Sequence, residues 1–196
     1  MARQNEMRAI LAEGRCMQGS GRAFDAAVMA LEEPRLTRQL LECLWDENPG
    51  VASRAADALE TVTRERPRLL QPWKPALLDL MAEARPIKLR WHLALTVTRL
   101  KLTPRECRRA AEVLSGWLDD RSSVVKTCAM QGLAELSLQD ESLRNEATDL
   151  LRVHSRSGTP AMRARGRILL EQMEKGKDIT WHRPKPQEKE AARRVR

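Results

Sequence analysis

The side chains best suited to acid–base, nucleophilic or metal chemistry are few and scattered along this 196-residue chain. Its three histidines are His92, His154 and His182, and none of its four cysteines forms a Cys-x-x-Cys pair. The sequence also lacks the Gly-x-Ser-x-Gly turn of serine hydrolases, the glycine-rich loops that hold nucleotide phosphates, and the His-Glu-x-x-His of zinc proteases. We therefore predict a non-enzymatic protein with no catalytic residue, metal site or cofactor, and no evident small-molecule substrate.

The cysteines and the N-terminal residues indicate the cellular compartment of the protein. Cys16, Cys43, Cys107 and Cys128 are widely spaced, as expected for small buried side chains rather than a disulfide framework. The opening segment 1–15 is polar throughout, unlike a secretory signal peptide, and no run of 18 apolar residues could span a bilayer. These features predict a cytoplasmic protein with reduced thiols and no membrane association.

The basic charge is concentrated at the C-terminus. The formal net charge is +8, and residues 174–196 contribute half of it, with eight Lys or Arg against four acidic residues. This composition predicts a basic, mostly disordered tail over 175–196, in which Trp181 is a candidate contact residue. A basic chain attracts nucleic-acid phosphates, so DNA or RNA stays open as a partner.

The remaining residues favour helices throughout. Ala, Leu, Arg and Glu dominate, aromatic residues make up 3% of the chain, and no segment alternates like a strand. Prolines fall beside expected helix ends, and Thr103, Pro104 and Glu106 have the spacing of a capping box. The pattern predicts ten helices: 2–13, 21–32, 35–46, 50–65, 73–84, 86–100, 104–119, 123–137, 141–154 and 160–174.

A repeat of about 37 residues organises these helices into pairs. Val51, Ile87, Val125 and Met162 follow similar apolar and turn segments, at spacings of 36, 38 and 37 residues. Each is followed by a helix rich in Ala, Leu and basic residues. A period this regular is typical of a repeat protein in which neighbouring units bury one another's apolar faces.

The repeat resembles the HEAT family of helical repeats, which is related to armadillo repeats, over about residues 36–173. The family pattern Asp-x-x-Pro-x-Val-(Arg/Lys)-x-x-Ala-x-x-Ala-Leu is matched in part, with Ala52 replacing the basic residue of the first unit. Tetratricopeptide repeats have a similar period but need Tyr, which this chain lacks. The resemblance implies an all-α, right-handed α-solenoid of antiparallel helix pairs, with about four to five repeats over 35–174 and divergent capping helices over 1–34.

Two enzyme classes with related folds are poorly matched. Iron-dependent HEAT hydroxylases use His-Glu pairs, whereas the three histidines here precede Leu, Ser and Arg. Alkylpurine DNA glycosylases rely on Trp and Asp in a concave groove, and here no Trp is followed by Asp four residues later. The resemblance therefore favours a binding protein.

In such solenoids the second helices of the pairs line the concave surface that binds partners. Basic residues following the repeat anchors, together with residues one turn further on, predict a strip on that surface. Its members are Lys88, His92, Lys126, Arg163 and Arg167.

The strip has two interpretations. It binds an acidic or phosphate-bearing partner, or its cations pair with turn carboxylates such as Asp46 and Asp119 of neighbouring units. The leading functional prediction is an adaptor or scaffold that binds another protein, and the alternative is a DNA- or RNA-binding repeat protein.

Overall fold

A computed structural model describes residues 6–13 and 21–179, and every regular element within these ranges is a helix. The all-α prediction is thus confirmed. Ten α-helices lie within the described residues: α1 (Glu6–Ala12), α2 (Ala23–Glu32), α3 (Thr37–Glu42), α4 (Pro49–Glu65), α5 (Lys74–Glu83), α6 (Ile87–Thr98), α7 (Pro104–Trp117), α8 (Ser123–Gln139), α9 (Arg144–Ser157) and α10 (Pro160–Glu174).

The helices form an α-solenoid of five consecutive pairs. The second helices α2, α4, α6, α8 and α10 pack against one another in chain order, and we call them the second-helix row. Each also packs against the first helix of its own pair, from α1 with α2 to α9 with α10. Their apolar faces join into one buried core of mainly Leu, Ala, Val and Met side chains. Each pair is therefore stabilised by its neighbours, as in other repeat proteins.

Polar residues define where the helices begin. The side chains of Asn48, Ser122 and Thr159 accept hydrogen bonds from backbone amides in the first turns of α4, α8 and α10. The capping box predicted at α7 is present, because Thr103 accepts from the Glu106 amide while the Glu106 carboxylate accepts from the Thr103 amide. Each such cap satisfies backbone donors that the helix itself leaves unpaired.

The first helix of the second pair is shorter than predicted. The segment expected to be one helix over 35–46 consists of α3 flanked by two short 3-10 turns, at Pro34–Leu36 and Cys43–Trp45. Three-residue 3-10 turns are common at helix ends and connections.

The repeat register differs from the prediction in one unit. The residues preceding α4, α6, α8 and α10 are Asn48, Pro86, Ser122 and Thr159, at spacings of 38, 36 and 37 residues. The third residue after each is Val51, Leu89, Val125 or Met162, and all four are buried. Ile87, predicted to hold this position, is instead 49% exposed because it is the first residue of its helix.

Gly132 allows α6 and α8 to approach closely. A Cβ atom at this position would lie 2.8 Å from a Leu114 methyl and 3.1 Å from the Ala94 carbonyl oxygen. The side chains of Cys43, Cys107 and Cys128 are buried thiols. Among the helices described, none combines the length and apolar character needed to cross a bilayer.

Candidate functional site: the polar face of the second-helix row

The predicted basic strip is only partly assembled. Lys88, Arg163 and Arg167 are exposed, and Lys126 is half-buried. In the observed register, however, Arg90 rather than Lys88 matches Lys126 and Arg163. Since two residues along a helix differ by about 200° in direction, Lys88 does not share the face of Lys126 and Arg163.

Arg90 forms the kind of pair that the alternative interpretation expected. Its Nη2 lies 2.6 Å from Oδ2 of Asp120 in the turn of the next unit, and both side chains are largely buried. The expected turn carboxylate was the adjacent Asp119. Asp46 pairs similarly, since its Oδ2 lies 2.6 Å from Nε of Arg8. The basic residue at this repeat position thus has a structural role in the α6 unit.

The prediction that His92 belongs to an accessible strip is wrong, because this residue is only 2% exposed. Its ring stacks on Trp91, with the ring centroids 3.4 Å apart. Its Nδ1 lies 2.6 Å from the Lys88 carbonyl oxygen, and its Nε2 lies 3.3 Å from Oδ1 of Asp57 on α4. One turn beyond Lys88, the helix already faces its neighbour rather than solvent.

The predicted tail contact, Trp181, lies outside the residues that the structure describes. In the described part of the chain, no three His, Cys, Asp or Glu side chains lie close enough together to hold a metal ion.

The structure instead reveals polar side chains on the central and C-terminal parts of successive second helices, most of them buried or half-buried. They link α4, α6, α8 and α10 and are named the polar cluster. Its members are Glu60, Arg64, Thr98, Arg99, Gln131, Glu135, Gln139 and Arg165.

The same two repeat positions form a contact at two of the boundaries between neighbouring units. Oε1 of Glu60 lies 2.7 Å from Nη1 of Arg99, and the Thr98 hydroxyl donates to Oε2 of Glu135 at 2.6 Å. The first pair joins the α4 unit to α6, and the second joins α6 to α8 by the same two repeat positions. Each contact therefore ties one repeat to the next.

A second type of contact lies closer to the helix starts, by about one turn on one helix and about two turns on the other. Nε of Arg165 on α10 donates to Oε1 of Gln131 on α8 at 2.9 Å. Asp57 and His92 occupy the same two repeat positions in α4 and α6. Position within the repeat, rather than residue type, is what these contacts have in common.

Burial governs the electrostatics of the cluster. Glu60 is 2% exposed and also receives Nη2 of Arg64 at 2.7 Å, so that one carboxylate holds two guanidinium groups. Desolvation lowers the pKa of Arg165 and raises that of the neighbouring Cys128 thiol to about 12. Charges this deep are tolerated only when they are paired and hydrogen-bonded.

A C-terminal segment folds back onto the cluster. Residues 175–179, named the strap, follow α10, and Gly176 with φ +60° begins the change of direction. The Ile179 side chain is 1% exposed, and its carbonyl oxygen accepts a hydrogen bond of 2.5 Å from Nε2 of the fully buried Gln131. The same amide group donates to Oε1 of Glu135 at 2.7 Å.

A cavity of about 290 Å³ lies beside the strap on the second-helix row. Leu138, which is 54% exposed, is part of its lining. The full lining comprises Thr63, Arg64, Pro67, Thr98, Arg99, Glu135, Leu138, Gln139 and Ile179. Aliphatic surface next to hydrogen-bonding and charged groups suits an extended polypeptide, whose backbone and side chains need both.

Sequence reasoning missed the polar cluster. It favoured exposed basic residues at the helix starts, whereas the cluster consists of Glu, Gln, Thr and Arg further along each second helix. A usable signal is the spacing of the partners, which lie 39 residues apart for Glu60 and Arg99 and 37 for Thr98 and Glu135. Both values are close to one repeat.

No family model and no curated protein match the chain. Solved structures with a similar fold include the following two. One is the complex of CpcE and CpcF of phycocyanin lyase from Nostoc sp. PCC7120, with a TM-score of 0.63 and 20% identity over 83% of this chain and 95% of that chain. The other is an engineered protein, with a TM-score of 0.59 and 15% identity over 88% of this chain and 80% of that one. These similarities show the fold, an α-solenoid of helical repeats.

The prediction of a non-enzymatic protein is contradicted by the first of these structures, because the fold it shares with this chain belongs to a phycocyanin lyase. That prediction depended on missing motifs of hydrolases, nucleotide enzymes and metalloenzymes. A helical-repeat protein named as a lyase shows that such motifs are a poor criterion for this fold.

Proposed function

We propose that the chain is a member of the HEAT repeat family that binds an extended segment of a partner protein along its second-helix row. The interaction surface comprises the polar cluster and the adjoining cavity. The similar structure from Nostoc is a complex of two proteins, which supports a protein partner. Concave helical rows are the usual partner-binding surfaces of repeat proteins.

One observation carries the proposal, namely the contact between Gln131 and the main chain at Ile179. A fully buried amide side chain receives the carbonyl oxygen of a non-helical segment, while the apolar side chain of the same residue is buried against the row. The surface thus already holds one short non-helical segment, which belongs to the chain itself. Main-chain hydrogen bonds with a side-chain pocket are a common mode of peptide recognition.

Site-specific photo-crosslinking tests the proposal. A photoreactive amino acid replaces Leu138, which lines the cavity and is 54% exposed, and the protein is irradiated in nuclease-treated lysate of its native source. The matched control carries the same group at Val153 on α9, which is 57% exposed and belongs to the other row of helices. We expect a discrete cross-linked protein from position 138 only.

Identical cross-links from both positions, or none from position 138, would contradict the proposal. Cross-links that form in untreated lysate but not in nuclease-treated lysate would favour the nucleic-acid alternative. That alternative has less support, since Arg90 is paired with Asp120 and His92 is buried. A strip for phosphates needs several accessible cations in register.

A further inference from the structure

Ile179 anchors the strap on the second-helix row by burial. It is the one buried side chain of the five residues, whereas Lys175, Gly176, Lys177 and Asp178 are exposed. The turn that begins the strap is local to the end of α10, where the Lys177 amide donates to the Gln172 carbonyl oxygen at 2.9 Å. A partner peptide that presents a main-chain carbonyl and an aliphatic side chain in the same way competes for this site.

The site beneath the strap is built for a peptide rather than for one particular residue. Gln131 recognises a main-chain carbonyl, which every residue carries. The amide is held in place by Glu135 and Arg165, at 2.7 and 2.9 Å, so its orientation is fixed before a ligand arrives. Selectivity comes from the apolar side chain buried with that carbonyl, which is Ile179 in this structure.

We propose that the strap occupies the position of the partner segment, and that the partner is an extended peptide whose aliphatic residue replaces Ile179 on Gln131. This inference depends on the proposed function, because it assigns the ligand chemistry and regulation of the same surface. Binding requires displacement of the strap, so the apparent affinity for the partner equals the intrinsic affinity reduced by the fraction of chains with the strap open.

A labelled peptide of residues 174–184 added to the full-length chain tests the inference by fluorescence polarisation. We expect it to bind the Ile179→Ser variant at least about tenfold more tightly than the unsubstituted chain, because the variant holds its strap weakly. The matched control is Ile87→Ser, the same change at a 49% exposed position, which should bind like the unsubstituted chain. A peptide carrying Ile179→Ser should lose its binding to the variant.

Equal affinity for the three chains, or no binding to any of them, would overturn the inference. Helical circular dichroism verifies that both Ser variants keep the fold, which is expected because Ile179 lies beyond the last helix. The photo-crosslinking experiment distinguishes failure of this inference from failure of the proposed function. Peptide binding without a protein cross-link at position 138 would refute the proposed function alone. A cross-link whose yield is unchanged by Ile179→Ser would refute only the inference that the strap competes with the partner.

Discussion

At the residue scale, Cys128 shows how strongly the solenoid interior controls chemical reactivity. The thiol is 2% exposed, and burial raises its pKa to about 12. The carboxylates of Glu60 and Glu135 act in the same direction, whereas Arg99 and Arg165 oppose them. The thiolate is the reactive form of cysteine, so this side chain is expected to be inert although charged groups surround it.

We expect Cys128 in the native protein to react with iodoacetamide at pH 8 about a thousandfold more slowly than in the urea-unfolded chain, because its thiolate is about a thousandfold rarer. Peptide-resolved mass spectrometry measures both rates. The raised pKa also implies that the free energy of unfolding falls as pH rises from about 9 towards 12, since the unfolded chain loses this proton first. Cys128→Ala should remove that part of the pH dependence, and equal labelling rates would contradict the burial.

The residues of the candidate site could be predicted only in part from the sequence, for a physical reason. Exposed cations such as Arg163 are visible as a pattern, but a buried contact such as Gln131 with Arg165 exists only once two helices are stacked in the correct register. His92 illustrates the difficulty, because it lies one turn from the exposed Lys88 on nearly the same helix face, yet it is buried against α4. Residue type alone does not reveal which turn of a helix packs against its neighbour.

At the element scale, the packing of α6 against α8 depends on one glycine. The side chain of Leu114 is fully buried, so the methyl that approaches Gly132 has little room to move, and the Ala94 carbonyl is held within α6. Gly116 in α7 offers a contrast, since a Cβ there would meet nothing within 4 Å. Alanine substitution at Gly132 therefore tests the packing between helices, whereas alanine substitution at Gly116 tests intrinsic helix propensity alone.

We expect Gly132→Ala to lower the free energy of unfolding by about 1–3 kcal/mol, the usual cost of overpacking. Gly116→Ala should raise it by about 0.5–1 kcal/mol, because alanine loses less backbone entropy in a helix. Urea denaturation of both variants measures the difference. Stabilisation by Gly132→Ala would show that α6 and α8 are not packed as closely as the structure describes.

Helix positions were easier to predict than helix register. The caps at Thr103 and Thr159 are local signals, and the helices predicted to begin at 104 and 160 do begin there. Ile87 was misassigned because it resembles Val51 in type and follows a proline, although Pro86 precedes its helix and Pro49 lies inside its own. Counting from the residue that precedes each helix recovers the register, because the third residue after it is buried in α4, α6, α8 and α10.

At the scale of the whole molecule, each repeat is stabilised by the repeats on either side of it. Each second helix packs on the ones before and after it, and the polar cluster adds a specific contact at several of these boundaries. The 37-residue period predicted this stacking, and the similar solved structures agree with it at 20% identity or less. A linear stack of this kind opens where a boundary is weakened, and the shorter side of that boundary opens first.

This architecture predicts that two cluster substitutions destabilise different ends of the molecule. Glu60→Ala removes the carboxylate shared by Arg64 and Arg99 and should cost about 3–5 kcal/mol, with amide hydrogen exchange rising most in α2 and α4, before the α4–α6 boundary. Arg165→Ala removes the contact with Gln131 and should cost about 1–3 kcal/mol, with exchange rising most in α9 and α10. Mass-spectrometric exchange of both variants compares the profiles. A uniform rise along all helices in both would mean that the solenoid unfolds only as a single cooperative unit.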